Sequence, residues 1–452
     1  MIDLTSFNLG IKKIKVLLDY QYTNCNEKRN YLRIKDHIPF KIKINSTMIS
    51  GLIINLSENG LCFTSKSDIV LKSGTGLIKQ LYPPIRIIIN IIWKEKINSI
   101  TKYGVSFKKI SKKNRQYIQN IIRNRIAATH IFIESLTRYI EFLQTIEIQI
   151  ANKNIFDRQV QELVKRNNEH ILLIADLLEQ SIYSYQIKKD LKNYFRDCVG
   201  EYIYKSKIIH HMFIKPHGYP GDFKLFEMFY NKKPLSQGIG YYFDQFALNH
   251  PLCIAIINRK NILKNLSKEF IENNYSSYLD ILYIGYGSSK QIEDLFYQYT
   301  PNKKFSITCI DWDNEAIKSS KKELQGIYPN INFINQNIFK LLFGKNNDCI
   351  IKKRNLVFCS AFANYLYDCV LEKYLKFCWN LVAPGGKLII AYMNHLQYQN
   401  HLAVRWFADW EIYLRDKNEV LILTKSILKN YSIEIIWEET RHIFITILTK
   451  KS

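Results

Sequence analysis

Apolar residues change their spacing twice along this chain. Between Arg29 and Ile110, short apolar runs such as residues 51–54 and 61–64 are separated by polar turns, a pattern that predicts strands of a small β domain. Residues 85–93, rich in isoleucine, read as a buried strand of that domain, and the apolar run 14–18 reads as a short helix or strand leading into it. Residues 112–210 then hold almost no glycine or proline. Their apolar positions fall at helical intervals, as in Ile118, Ile121, Ile122 and Ile126, or Leu163, Ile171, Leu172, Ile174 and Leu178, so several long helices with core-facing stripes are expected. Lys215-Pro216-His217-Gly218-Tyr219-Pro220-Gly221-Asp222 breaks the helices with an irregular loop. Helix-like runs resume to about Asn274. After them, strand candidates at 278–284, 305–310, 331–334, 355–359, 386–391, 433–437 and 443–449 alternate with helices such as 289–299 and 314–324. That order implies a doubly wound, mostly parallel sheet.

A chain of 452 residues exceeds one ordinary core, and three segments are expected: a β-barrel over 1–110, a helical connector over 111–210 and an α/β domain over 211–452. The nine cysteines include no CxxC pair and no neighbouring histidine cluster, which argues for reduced thiols in a cytoplasm and for no metal site. No basic segment precedes an apolar stretch at the N-terminus, and no uncharged apolar run is long enough to span a membrane. The formal net charge of +24 invites a nucleic-acid partner. The lysines are nevertheless scattered singly and in pairs within a chain-wide bias to Lys, Ile, Asn and Tyr, which raises the pI without selecting a partner. Oligomeric state is left open.

Two elements of the β domain carry chemistry. Arg29 and Arg33, four apart in a polar stretch, present planar forks that suit a phosphate or the O6/N7 edge of guanine. Asn55-Leu56-Ser57-Glu58-Asn59-Gly60 joins two predicted strands and adds an amide, a hydroxyl and a glycine where main chain can approach a ligand. In order and spacing, RxxxR followed by [D/N]xSxxG, these residues resemble the PilZ family of cyclic di-GMP receptors. The resemblance runs to about Ile110, with Tyr103-Gly104-Val105-Ser106-Phe107 as the last barrel strand. It implies a cyclic di-GMP site at Arg29, Arg33, Asn55, Ser57 and Gly60.

In the α/β segment, ligands are expected at the carboxyl ends of the strands. There the turn Gly285-Tyr286-Gly287-Ser288-Ser289 leaves room for a nucleotide-like ligand, Asp311 can accept ribose hydroxyls, and Asn337 can bond an adenine edge. Taken in order, these features resemble the Rossmann-like class I methyltransferases that use S-adenosylmethionine. The 215–222 loop, residues 310–316, Ala363-Asn364-Tyr365-Leu366, Pro384-Gly385-Gly386, and Asp409-Trp410 with Arg415 resemble one branch, the extracellular-factor 3-hydroxypalmitic acid methyl ester synthases. This second resemblance covers roughly residues 200–450. It implies methyl transfer to the carboxylate of a hydroxylated fatty acid. The first strand departs from the usual pattern, with Tyr283 or Ile284 where an acid is common, Ser289 for a third glycine and Asn337 for an aspartate.

A carboxylate acceptor is ionised at neutral pH and needs no general base, so the site must chiefly position its reactants. For a hydroxyl or amine acceptor, His217, Asp222, Tyr365 and His395 are the candidate bases, with Asp222 and Tyr365 foremost. Asp222 alternatively caps a helix beginning at Phe223. The combined expectation is a cyclic di-GMP-responsive methyltransferase. The alternative is a cyclic di-GMP-binding adaptor whose degenerate transferase domain does no chemistry. A nucleic-acid methyltransferase lacks support, because Ala363-Asn364-Tyr365-Leu366 has no proline pair to frame a flipped base.

Overall fold

The computed structural model describes residues 33–44, 47–69, 73–79, 81, 84–153, 155–274, 278–290, 292–293, 305–324, 330–343 and 352–451. Arg29, the run 14–18 and most of the expected helix 289–299 lie outside them. The chain forms two compact units, one drawn from Met1–Asn154 and Lys165–Glu201, the other from Ile155–Val164 and Tyr202–Ser452.

In the first unit, β1 (Arg33–Ile44), β2 (Thr47–Ser57), β3 (Gly60–Ser65), β4 (Ser73–Ile78), β5 (Ile85–Ile97) and β6 (Ile100–Lys109) close a barrel in the order β1-β2-β3-β6-β5-β4. Alternate positions point inward, as the pleat requires. Phe40, Ile53, Phe63, Ile87 and Tyr103 fill the interior, and Ile118 and Ile122 of α1 (Lys112–Ala151) pack against the same core. The strand expected to be buried is so on one face only, and only over its first half: Ile85, Ile87 and Ile89 are buried with Arg86 and Ile88 exposed between them, whereas Ile92 is 64% and Trp93 45% exposed. β5 and β6 continue there as a two-stranded ribbon to the Ile97↔Ile100 pair, beyond the barrel's enclosing layer. Helices α2 (Asp157–Gln180) and α3 (Tyr185–Ile203) follow.

Asp36 of β1, fully buried, ties the barrel to these helices. Its carboxylate meets the Arg125 guanidinium of α1 at 2.7 Å and accepts the main-chain N–H groups of His37, Tyr183 and Ser184 at 2.8, 3.0 and 2.6 Å. Arg125 spends its Nε on the Ser181 carbonyl at 2.8 Å.

The second unit begins with α4 (Lys207–Ile214), α5 (Phe223–Asn231), α6 (Ile239–Leu248) and α7 (Pro251–Asn273). The sheet then comprises β7 (Leu279–Ile284), β8 (Phe305–Asp311), β9 (Ile331–Asn335), β10 (Arg354–Cys359), β11 (Val382–Met393), β12 (Tyr431–Trp437) and β13 (Ile443–Lys450). Its order is β12-β13-β11-β10-β7-β8-β9, with β7 to β11 parallel and β13 antiparallel to both its neighbours. Between the strands lie α8 (Asn314–Leu324), α9 (Ile338–Phe343), α10 (Asp368–Asn380), α11 (Leu402–Ala408) and α12 (Lys417–Ile427). The doubly wound, mostly parallel sheet expected from the sequence is therefore present, and its order reverses between β7 and β10. β11 starts at Val382, ahead of the expected residue 386, because a shift in register after the Arg354↔Val382 pair absorbs Pro384-Gly385-Gly386 as an irregularity of the strand. Among the described residues no helix is long and apolar enough to cross a membrane, and no cluster of His, Cys, Asp or Glu is placed to hold a metal.

Candidate functional sites

At the barrel rim, strand register assembles the sequence motif. Arg33 opens β1 opposite Ser57 of β2, and Lys35 pairs with Asn55. Ser57 is buried and donates its hydroxyl to the Gly60 carbonyl at 2.9 Å, which closes the 57–60 turn. Gly60 runs against β6 so closely that a Cβ would stand 2.3 Å from the Val105 carbonyl oxygen, so only glycine fits. The turn is also held from α1: Arg115 donates to the Asn59 side chain, Gln119 donates to Glu58, and Phe107 N–H of β6 reaches the Asn59 carbonyl at 2.9 Å. The structure thus brings Arg33, Asn55, Ser57 and Gly60 to one end of the barrel, with Arg33 exposed. Asn55 Oδ1 is buried there and has no hydrogen-bond partner among the described residues.

In the second unit Gly285, Gly287, Ser288 and Asp311 lie at the carboxyl ends of β7 and β8, and Asn337 follows β9. Gly285 and Gly287 have φ of +61° and +69°, a left-handed backbone that a side chain would strain. The Gly287 N–H donates to Asp311 Oδ2 at 3.3 Å, and the Asp313 N–H donates to Oδ1 at 3.0 Å. Burial pushes the Asp311 carboxyl up to about 6, and these main-chain N–H groups pull back against it. Ser288 is fully buried, its hydroxyl 3.5 Å from Glu227. Asn337 stands before α9 and caps it, Oδ1 accepting the Phe339 N–H at 2.8 Å.

The 215–222 loop lies over this corner. Asp313 Oδ2 is 2.9 Å from His217 Nδ1, and the Tyr219 ring tilts against Trp312 at 5.5 Å. Burial first, then the charges of Asp311, Asp313 and Asp222, raise the Tyr219 phenol so that it stays neutral. Asp222 is fully buried and caps α5: Oδ1 accepts the Leu225 N–H at 2.8 Å, while His211 Nε2 lies 2.9 and 2.8 Å from its two oxygens. At Gly221 a Cβ would come within 2.6 Å of the Tyr365 hydroxyl and 2.9 Å of the Trp410 ring. Tyr365 accepts the Trp410 indole N–H at 3.1 Å, and burial keeps its phenol protonated.

These contacts join two stretches far apart in sequence. Lys215 and Asp409 are both left-handed helix caps, with φ of +51° and +50°, and the Lys215 ammonium donates to the Asp409 carbonyl and carboxylate at 2.9 and 3.1 Å. Arg415 donates to the carbonyls of Ala363 and Leu366 and so holds the segment carrying Tyr365. His395 sits in a short helical turn beyond β11. Spacing alone did not point to Arg259 of α7, which is 1% exposed and packs over the Phe226 ring at 5.4 Å. The available signal was a charged residue on the apolar stripe shared by Ala255, Ile256 and Leu263.

Residues 27–124 match the PilZ domain family, a span that takes in the described barrel and the first turns of α1. Comparison with curated proteins returned no match. Among solved structures, a possible exported protein from Bordetella parapertussis is similar at 13% identity and TM-score 0.43, over 71% of this chain and 97% of that one. The magnesium protoporphyrin IX methyltransferase of Synechocystis PCC 6803 is similar at 12% identity and TM-score 0.33, over 44% and 84%. An S-adenosylmethionine-dependent methyltransferase of Clostridium acetobutylicum is similar at 15% identity and TM-score 0.33, over 46% and 99%. At these scores the likenesses carry nothing about ligand or reaction.

Proposed function

We propose that this chain is a cyclic di-GMP-responsive, S-adenosylmethionine-dependent methyltransferase acting on the carboxylate of a hydroxylated fatty acid in the cytoplasm. The observation that carries the enzymatic half is the corner where the left-handed Gly285 and Gly287 meet the buried Asp311 carboxylate at the switch point of the sheet. Those residues fit a nucleoside: the glycines remove Cβ atoms from the turn, and Asp311 keeps lone pairs beyond the two occupied by main-chain N–H groups. Gly285, Gly287, Ser288, Asp311 and Asn337 would hold the cofactor, which when bound supplies a methyl group on a sulfonium. An ionised carboxylate attacks without a base, so the protein's part is to position it and exclude water. Tyr365 accepts from Trp410 and keeps its own proton to donate toward the acceptor. Asp222, occupied by His211 and the α5 cap, holds the loop against Tyr365.

Support for an apolar acceptor tail comes from a cavity that Trp410 lines together with Met212, Phe229, Val404 and Phe407. Its open room of about 20 Å³ takes one water, so a tail must part these walls. The regulatory half rests on the PilZ match and on Asn55 Oδ1, an unpartnered acceptor beside Arg33 that suits a guanine N–H donor.

Calorimetry with cyclic di-GMP and with S-adenosylhomocysteine should show two saturable sites. Extracts of cells with and without the gene should differ by a methylated hydroxy acid. Binding of both ligands with no turnover on any acid would favour the adaptor reading. Turnover equal with and without saturating nucleotide would remove the regulatory claim.

A further inference from the structure

Arg259 is a buried cation for which the described protein supplies no anion. Its Nε and Nη2 are buried without a hydrogen bond of good geometry among the described residues, and the polar side chains that act on it are the phenols of Tyr230, close enough to interact with it, and Tyr365. Burial lowers its pKa, yet a guanidinium stays charged at any working pH, so the cost of desolvation cannot be shed by losing a proton. The Phe226 face returns part of that cost. The position of Arg259 bears on the site. Phe226 lies against the glycine turn, where a Cβ on Gly287 would be 3.4 Å from its ring, and Tyr365 is the hydroxyl that Gly221 and Trp410 touch. The unpaired fork therefore stands between the Gly287 turn and Tyr365, inside the proposed transfer site.

We infer that Arg259 is the receptor for a ligand carboxylate, taken bidentately by the free edge of its guanidinium. The inference rests on the methyltransferase reading for its two sources of that group: the acceptor acid, or the amino-acid end of the sulfonium donor. An arginine kept for stability has its anion within the protein, whereas Arg259 has aromatic neighbours and a buried polar edge that no anion of the described residues meets.

The test uses the full chain, Arg259→Met and Arg259→Lys, with S-adenosylhomocysteine, methylthioadenosine (the same nucleoside without the carboxylate) and 3-hydroxyhexadecanoate as calorimetric probes. Without ligand, Arg259→Met should melt at or above the wild-type temperature, since it removes an uncompensated charge. Its affinity for the carboxylate ligand should fall at least 10-fold, that for methylthioadenosine should hold, and Arg259→Lys should lie between. Loss confined to S-adenosylhomocysteine assigns the carboxylate to the donor, and loss confined to the hydroxy acid assigns it to the acceptor. A clear drop in melting temperature for Arg259→Met overturns the inference, as do unchanged affinities or a wild-type protein that binds neither carboxylate probe. Should no nucleoside bind, the methyltransferase reading fails, while the hydroxy-acid and melting arms still decide the role of Arg259.

Discussion

Two arginines, Arg125 in the first unit and Arg259 in the second, are equally buried at 1% exposure and oppositely provided for. Arg125 meets a carboxylate, Asp36, whose oxygens are further bonded by three main-chain N–H groups, and its remaining nitrogens reach carbonyls. Arg259 meets a phenylalanine face and two phenols. The first arrangement is complete within the protein and reads as architecture. The second is complete only with something added, so burial of a charge identifies a site only once its partners are counted.

Removing the charge should therefore act in opposite directions. Arg125→Met leaves Asp36 buried without its cation and should cost about 3–5 kcal/mol in denaturant unfolding. Adding Asp36→Asn should restore only part of that loss, because the amide carries no charge to strand but turns a donor toward a main-chain N–H that an Asp36 oxygen now accepts. Equal destabilisation by Arg125→Met and Arg259→Met would erase the distinction between the two residues.

Three histidines of the second unit extend the comparison to pH. Burial lowers His250 to about 4 and His401 to about 3, with His442 adding to both and His250 and Arg405 adding at His401, and burial lowers His442 too. Their folded pKa values lie below the unfolded value near 6.5, so the unfolded chain binds more protons, and stability present above pH 6.5 is lost as pH falls toward 4. Asp311 acts with the opposite sign, since its raised carboxyl takes up a proton near pH 6 more readily than in the unfolded chain. Glu227, raised by burial, acts with Asp311, and the three histidines outnumber the two. A net loss on the order of 3 kcal/mol between pH 7 and 4 is expected in the second unit's unfolding transition. His401→Leu should flatten that dependence, and an unchanged slope would show that the cluster is not its source.

The sequence disclosed what depends on local pattern. The expected helix at 314–324 starts where α8 does because Asp313 precedes it and accepts the Glu315 N–H at 2.9 Å. The barrel motif was legible because strand register brings Arg33 opposite Ser57. What depends on partners was hidden. Asp222 stood out as a candidate base and as the cap of a helix at Phe223, and the cap, a bond to Leu225 three residues on, was legible; its contact with His211, eleven residues upstream, exists only once α4 and α5 pack. Arg259 was lost among isoleucines, since a stripe shows which face of a helix is buried and not whether a charge on it is matched.

At the barrel rim the effects are smaller. Gly60→Ala should cost about 1–3 kcal/mol, because the Cβ meets the Val105 main-chain oxygen at 2.3 Å and a carbonyl in a ladder cannot swing aside. Arg33→Ala, at an exposed position, should change stability by no more than about 0.5 kcal/mol. It should nevertheless weaken cyclic di-GMP binding by roughly 10-fold or more, the worth of a charged hydrogen bond. Unchanged affinity in calorimetry would remove Arg33 from the nucleotide site.

The mildest change probes whether the 215–222 loop is held by side chain or by backbone. Lys215 is left-handed, and Asn tolerates that conformation better than most residues, so Lys215→Asn removes the ammonium with little added strain. Its bridge to Asp409 is partly exposed, at 26% and 34%, so the expected loss is below about 1 kcal/mol. The local consequence should be clearer than the global one. Gly221 sits within van der Waals reach of Trp410, the residue after Asp409, and this bridge fixes the loop's far end against the same turn. Hydrogen exchange in residues 216–222 should quicken while the core strands keep wild-type protection. If exchange there is unaltered, the loop is held by the Asp222 cap and aromatic packing alone, and the cross-link between the two distant segments is incidental.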